Sequence, residues 1–228
     1  IGIRTQLLDR KLTFNFDVFH IAWDGIQVDS ATYYGVTGIT VNGGAARSQG
    51  FEASFQLRPI PALAIQGTYS YTDAKLTEDV PGIITIRETP GDYSNRFAQL
   101  DALAGDRLPG SAKNSGSLGA TYTKPMMDGN LIANWTASYR GNVVSRLGWD
   151  RAYGDKIPGY VLHRATVSYE TDRFALSLFA NNIFDKYAVV SVGQDRSRIG
   201  VNDGIAVRYY RQAVLNPRTV GIEARIKY

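Results

Sequence analysis

Arginine and aromatic residues accumulate in the long segments of the sequence that show no regular pattern. A guanidinium group forms paired hydrogen bonds with anions and stacks on aromatic rings, and tyrosine and tryptophan add flat apolar surface. Such a mixture could hold an anionic, aromatic or glycan ligand, although the same side chains could simply remain in water. The candidate ligand-binding residues are Tyr93, Arg96, Arg146, Trp149, Arg151, Arg208, Tyr209 and Tyr210.

No group of residues has the types and spacing of a catalytic or metal centre. The 228 residues include no cysteine and two histidines, His20 and His163, which lie far apart on segments with a strand pattern. No Ser/His/Asp motif, phosphate-binding loop or metal-ligand spacing accompanies them. The net charge of +4 comes without a nucleic-acid-binding motif. We therefore expect no enzymatic activity, no metal, no cofactor and no nucleic-acid partner.

Strict alternation of apolar and polar residues identifies the elements that carry these segments. At the C-terminal end, one face of a strand holds apolar residues and the other holds Thr, Gly and charged residues; the apolar set is Val220, Ile222, Ala224, Ile226 and Tyr228. The pattern recurs in about nine segments of about 10 residues, the length that a tilted strand needs to cross a bilayer. After residues 18–20 the apolar residues of the sequence fall on the other face of the alternation, which predicts a β-bulge there.

The connections between these segments alternate in length. Short ones cover residues 8–11, 58–62, 124–129 and 170–173, and long ones cover 24–46, 75–110, 141–159 and 188–217. Short turns at one end and long loops at the other are typical of an antiparallel transmembrane β-barrel. The polar face is rich in Ser, Thr, Asn and Gly, which suits a wet or filled interior. A soluble all-β binding module is the alternative. A small hairpin is expected within residues 33–41.

Several sequence motifs, in order along the chain, resemble motifs of the TonB-dependent outer-membrane receptors. The stretch NNIFDKY at 181–187 resembles the N-N-L-F-D-K-x-Y segment of the penultimate strand, and residues 217–228 resemble the final strand that ends in an aromatic residue. Residues 47–52 resemble the G-[VF]-E strand, and residues 69–74 the phrase Y-S-Y-T-D-A. Residues 105–110 resemble G-x-x-L-P-x-x-P without the second proline. We expect the 181–187 segment to shape a bulge at the outer end of its strand.

The resemblance implies an outer-membrane receptor of a Gram-negative bacterium, with a plugged barrel of about 22 strands. Residues 1–228 would form the C-terminal part of one barrel domain, with no second domain, and the plug, the first strands and the TonB-contacting segment would lie upstream. Interior residues such as Glu52, Arg140 and Arg164 would contact the plug or water.

The resemblance also implies partners. Those are the TonB complex, outer-membrane lipid and lipopolysaccharide, the barrel insertion machinery that reads the strand ending at Tyr228, and a transported small ligand. A siderophore-iron complex is the first expectation for that ligand. A saccharide, a vitamin or another organic ligand is an alternative, and so is an outer-membrane barrel hydrolase.

Overall fold

The computed structural model describes residues 1–31, 38–87, 97–151, 154–193, 199–202, 205–208 and 211–227. These residues form strands, turns and irregular segments, without a helix. The strands are β1 (Gly2–Leu7), β2 (Leu12–Trp23), β3 (Gln27–Ala31), β4 (Gly38–Asn42), β5 (Ala46–Ile60), β6 (Leu63–Leu76), β7 (Val80–Arg87), β8 (Phe97–Ala102), β9 (Asn114–Met126), β10 (Gly129–Arg140), β11 (Val143–Val144), β12 (Lys156–Ile157), β13 (Tyr160–Glu170), β14 (Phe174–Asn181), β15 (Val189–Gly193), β16 (Ile199–Asn202), β17 (Ile205–Arg208), β18 (Arg211–Val214) and β19 (Thr219–Ile226).

The main sheet contains nine strands in the order β1-β2-β5-β6-β9-β10-β13-β14-β19. Every neighbouring pair is antiparallel. Strands that follow one another along the main sheet are neighbours, joined alternately by tight turns and by long segments that carry the ten remaining short strands. The predicted antiparallel meander of about nine strands is therefore confirmed.

The two faces of the sheet differ in chemistry. Alternation along each strand places apolar side chains on one face, and many of them are open to the surroundings: Val220, Ile222 and Ile226 are each 70% exposed and Leu178 is 56% exposed. A continuous exposed face of this kind requires an apolar surrounding medium.

The opposite face is hydroxyl-rich, and its groups bond to one another across strands. Thr68 Oγ1 and Ser117 Oγ are 2.8 Å apart, as are Ser168 Oγ and Ser177 Oγ. Each pair gives a side-chain hydroxyl a hydrogen-bond partner on the neighbouring strand, in addition to the backbone hydrogen bonds of the sheet. We call this hydroxyl-rich surface the interior face.

The bulge expected near residues 18–20 was wrong. β2 pairs with β5 without a register shift from Leu12 opposite Leu57 to Trp23 opposite Ala46. Because the alternation is unbroken, Phe19, Ile21 and Trp23 lie on the interior face. Trp23 lines a cavity formed with the long segments at the end of the sheet, so a change of residue type did not require a change of face. The register shift in β5 lies at 57–60 instead.

The long connections contain further antiparallel strand pairs. β3 pairs with β4, β7 with β8, β11 with β12, β15 with β18, and β16 with β17. The hairpin expected in the region of residues 33–41 is formed by β3 and β4, with Gln27 opposite Asn42; residues 33–37 of the expected range lie outside the described residues. Within the described ranges, no helix is long and apolar enough to cross a membrane.

Candidate functional site at the long-loop end of the sheet

A small hydrophobic core joins the first three long segments, residues 24–45, 77–113 and 141–159. Leu76 is 1% exposed and Ala102 is fully buried, and they pack with Ala46, Ile83, Ile84 and Leu147. Partly buried residues from the same segments surround this cluster: Ile26, Val28, Val41, Val80, Leu100 and Leu108. Apolar side chains from separate segments bury one another here, so the three segments form one packed body.

Charged residues brace this packed body. Arg151 donates to both carboxylate oxygens of Asp106, with a distance of 2.9 Å from NH1 to Oδ1, and also reaches the carbonyl oxygen of Asp101. The hydrogen bond to Asp106 raises the pKa of Arg151 above its ordinary value. Asp106 in turn accepts from the Leu103 amide at 2.9 Å. This network fixes the third segment against the second.

A second brace lies beside the first. Arg107 NH1 donates to Asn142 Oδ1 at 2.9 Å, and its NH2 donates to the carbonyl oxygens of Ser111 and Asn142 at 3.0 and 3.1 Å. One guanidinium thereby ties the end of the second segment to the start of the third.

A cavity of about 550 Å³ opens between the three segments. Trp23 lines it from the interior face of the sheet, and the charged residues Asp29 and Arg146 contribute polar groups to a mainly apolar lining. The other lining residues are Ile26, Gln27, Val28, Leu108, Pro109, Ser145 and Leu147. A cavity of this size and polarity suits a small organic ligand or one arm of a larger ligand.

The candidate ligand-binding residues have different surroundings. Arg146 lines the cavity, whereas the Arg151 guanidinium is engaged by Asp106. Trp149 is half-buried, and its carbonyl oxygen accepts from the Gly154 amide at 2.9 Å. The backbone of Arg208 ends β17. Their contact with a ligand stays a prediction. Four more candidates lie outside the described residues: Tyr93, Arg96, Tyr209 and Tyr210.

Sequence reasoning missed the cavity residues that come from the strand end and the first segment. Trp23 was assigned to a shifted register, although unbroken alternation from Thr13 would have placed it on the interior face. Asp29 lies in β3. The position of β3 is set by the hairpin that this strand forms with β4, and the sequence pattern alone did not reveal it.

The fourth long segment, residues 182–218, is closed at its base by the NNIFDKY stretch. Asn182 has a φ of 51° and is 4% exposed. Its Oδ1 accepts from the Lys186 amide at 2.7 Å, and its Nδ2 donates to the carbonyl oxygens of Lys186 and Asn216 at 3.1 and 2.9 Å. Asp185 Oδ1 accepts from the Arg218 amide at 2.8 Å. The stretch thus forms a turn that joins both ends of the segment.

The final strand pairs with β14 from Thr219 opposite Asn181 to Ile226 opposite Phe174. Its predicted apolar residues Val220, Ile222, Ala224 and Ile226 share the exposed face, while Tyr228 lies outside the described residues. On the interior face, Gly221 lies directly opposite Phe179, whose ring covers it. The outer edge of β19 has no partner strand among the described residues.

These features define the class of protein. Long antiparallel strands with one exposed apolar face, one hydroxyl-rich face, tight turns at one end and long segments at the other form the wall of a transmembrane β-barrel.

The chain belongs to the family described as TonB dependent receptor-like, beta-barrel, which matches residues 1–183. In transmembrane barrels of this kind the tight turns lie at the periplasmic end and the long segments at the extracellular end.

Curated relatives of this chain are receptors for metal complexes. The chain is 26% identical over 197 residues to the ferric-pyoverdine M114 receptor PbuA of Pseudomonas sp. (strain M114), covering 86% of this chain and 21% of that protein. It is 25% identical over 186 residues to the metal-pseudopaline receptor CntO of Pseudomonas aeruginosa, covering 81% and 23%. The chain therefore spans less than a quarter of the length of these relatives.

Solved structures share the fold. The siderophore receptor PiuA from Acinetobacter baumannii superimposes with a TM-score of 0.67 at 19% identity, over 98% of this chain and 27% of that one. The ferric yersiniabactin uptake receptor FyuA from Yersinia pestis gives 0.67 at 16% identity, over 100% and 29%.

Proposed function

We propose that this chain forms part of the barrel wall of a TonB-dependent receptor that imports a metal-chelate ligand, with a siderophore-iron complex as the first candidate. The observation that carries the proposal is the preformed cavity at Trp23, held between three packed extracellular segments above a hydroxyl-rich interior face. The relatives named as receptors for ferric pyoverdine and metal-pseudopaline support this ligand class.

The cavity favours recognition of the organic chelator over direct binding of the metal. Among the described residues, no group of three or more His, Cys, Asp or Glu side chains could hold a metal ion. The lining instead offers an indole, aliphatic side chains, one carboxylate and one guanidinium. Such groups stack on and hydrogen-bond to an organic ligand.

The nine-stranded sheet needs other strands to become a barrel. β1 and β19 form its two edges, and an open edge within lipid would leave backbone groups without partners. We infer that further strands of the same receptor pair with both edges, and that a domain inside the barrel covers the interior face. Energy for import would come from the TonB complex through that domain, in the outer membrane of a Gram-negative bacterium.

Uptake by the whole receptor tests the function. A strain lacking the receptor gene should lose uptake of at least one ⁵⁵Fe complex from a panel of ferric pyoverdine, ferric citrate and a ferric catecholate, and the gene should restore it. Loss of vitamin B12 or maltooligosaccharide uptake with unchanged iron uptake would replace the metal-chelate proposal with another ligand class.

The cavity has its own test. Trp23→Ala should weaken binding of the imported complex, because the residue lines the cavity. Trp135→Ala is a matched control, since this ring lies on the outward face of β10 beside His163. Equal loss in both variants would mean that the barrel, and not the cavity, was damaged.

A further inference from the structure

Arg140 lies on the interior face at the extracellular end of β10. It is opposite Ser115 of β9 and Tyr160 of β13. Its guanidinium carbon is 4.9 Å from the centre of the Tyr160 ring, a distance typical of a cation–π contact. The sequence led us to expect contacts with water or an interior domain at this position.

Arg140 instead binds the fourth extracellular segment. NH1 donates to the carbonyl oxygen of Val190 at 2.9 Å, and NH2 donates to that of Val189 at 3.3 Å. Both carbonyls belong to the start of β15, which follows β14 in the chain. Since β13 separates β10 from β14 in the sheet, the β15–β18 hairpin must lean across the end of β13 to reach Arg140. The start of the hairpin therefore lies on the interior side of the sheet at this end of β13.

The hydrogen bonding of Arg140 is incomplete. Its Nε is buried and has no acceptor among the described residues, while its two terminal nitrogens each donate to a neutral carbonyl oxygen. A guanidinium bonds more strongly to a carboxylate, which can accept from Nε and a terminal nitrogen at the same time. A carboxylate that reaches Arg140 would therefore displace the carbonyl oxygens of the hairpin as the acceptor for the guanidinium.

We propose that Arg140 is a positioning residue that holds the β15–β18 hairpin across the barrel opening, and that a carboxylate-bearing ligand releases the hairpin by binding this guanidinium. The inference rests on the proposed import function, because it assigns the hairpin a part in admitting the ligand. Ligand binding and hairpin position are then coupled, since both compete for the same donors.

Spin labels on the whole receptor test the position of the hairpin. One label replaces Ser191 on β15, and the other replaces Val161 on the outward face of β13. The unliganded receptor should give a defined short distance between the labels. Arg140→Gln should lose that population. Arg140→Lys should retain part of it, because one ammonium keeps the charge but does not span both carbonyls as a planar guanidinium does.

Arg164→Gln is the matched control, because it removes the same charge from the same face of the neighbouring strand β13. Its distance distribution should equal that of the unmodified receptor. An unchanged distribution in Arg140→Gln would overturn the positioning role. Loss of the short distance in Arg164→Gln as well would assign the effect to overall charge.

Citrate, as a tricarboxylate probe, tests the release step. It should deplete the short-distance population in the unmodified receptor and in Arg164→Gln, relative to sodium chloride at equal ionic strength, and leave Arg140→Gln unchanged. Equal effects of citrate and chloride would overturn release by carboxylates. None of these distances requires the transported ligand, so their outcome is independent of whether uptake supports the proposed function.

Discussion

Replacing Asn182 should open the base of the fourth extracellular segment. Its side chain makes three hydrogen bonds, to the amide and carbonyl groups of Lys186 and to the carbonyl of Asn216, at a site that is 4% exposed. Asn182→Ala leaves these backbone groups without that partner, and water has little access to replace it. At about 1 kcal/mol for each bond, the loss of these hydrogen bonds alone should lower the local opening free energy by about 2–3 kcal/mol.

The backbone at this position separates two contributions. Asn182 has a φ of 51°, in the left-handed region, which asparagine and glycine tolerate better than alanine. Asn182→Gly should therefore show the loss of the hydrogen bonds, and Asn182→Ala should lose about 1 kcal/mol more. Asn182→Asp keeps an acceptor for the Lys186 amide but sets a carboxylate against two carbonyl oxygens. We expect it to open more readily than Asn182→Gly.

Hydrogen exchange in the whole receptor, followed by mass spectrometry, measures this opening. The reporters are the Lys186 amide, bonded to Asn182, and the Arg218 amide, bonded to Asp185. A loss of 2–3 kcal/mol corresponds to exchange about 30- to 160-fold faster. Peptides from the turn at 124–129 should exchange as before. Unchanged exchange in Asn182→Ala, or faster exchange in Gly than in Ala, would refute the reasoning.

Three other predictions concern the packed body and the final strand. Arg151→Ala should loosen the third segment by about 1 kcal/mol, because the ion pair is partly exposed, and Asp106→Asn should add little to it in a double-mutant cycle read by limited proteolysis. Leu76→Ala, at 1% exposure, should cost about 2–5 kcal/mol and increase proteolysis of the first three segments together. Gly221→Val should reduce the folded fraction on a heat-modifiability gel, because an added Cβ lies 2.5 Å from the Phe179 ring, and Phe179→Ala should restore it.

The wall of the barrel could be predicted from the sequence because its signal is local. Alternation such as that of Val220 and Ile222 fixes which residues share a face, and the tight turns fix which strands are neighbours. The sequence of each of the nine strands is therefore enough to predict most of that strand's own structure. The order of the sheet follows once consecutive strands are paired as hairpins.

The site could be predicted only in part because its contacts join distant segments. Arg151 was recognised as a loop arginine, but its partner Asp106 is separated from it by 45 residues, and no local pattern links the two. Arg140 is 50 residues from Val190 and was assigned to the interior by alternation. That assignment gives the correct face but does not reveal which segment folds over it.

Trp23 shows where local patterning misled. The apolar residues Phe19, Ile21 and Trp23 suggested a change of register near residues 18–20, since hydrophobic residues mark the membrane face elsewhere in the chain. The interior face is hydrophilic where the plug or water would cover it. Near Trp23, at the end of β2, the packed body adjoins this face with the apolar residues Leu108 and Leu147. The residue type on a face therefore depends on whether lipid, water or protein contacts that face, and these surroundings change along the strand.

The four extracellular segments are held by different kinds of interaction, and this difference predicts which of them moves. Opening the first three would expose side chains such as Leu76 and Ile84, and each buried aliphatic side chain of this size contributes about 1.5–3 kcal/mol. Among the described residues, the fourth segment is attached by hydrogen bonds at its base, through Asn182, and at its hairpin, through Arg140. Hydrogen bonds can be exchanged for bonds to a ligand at nearly constant number, whereas a buried apolar cluster has no such substitute. A ligand-linked rearrangement should therefore move the hairpin and leave the cavity at Trp23 in place.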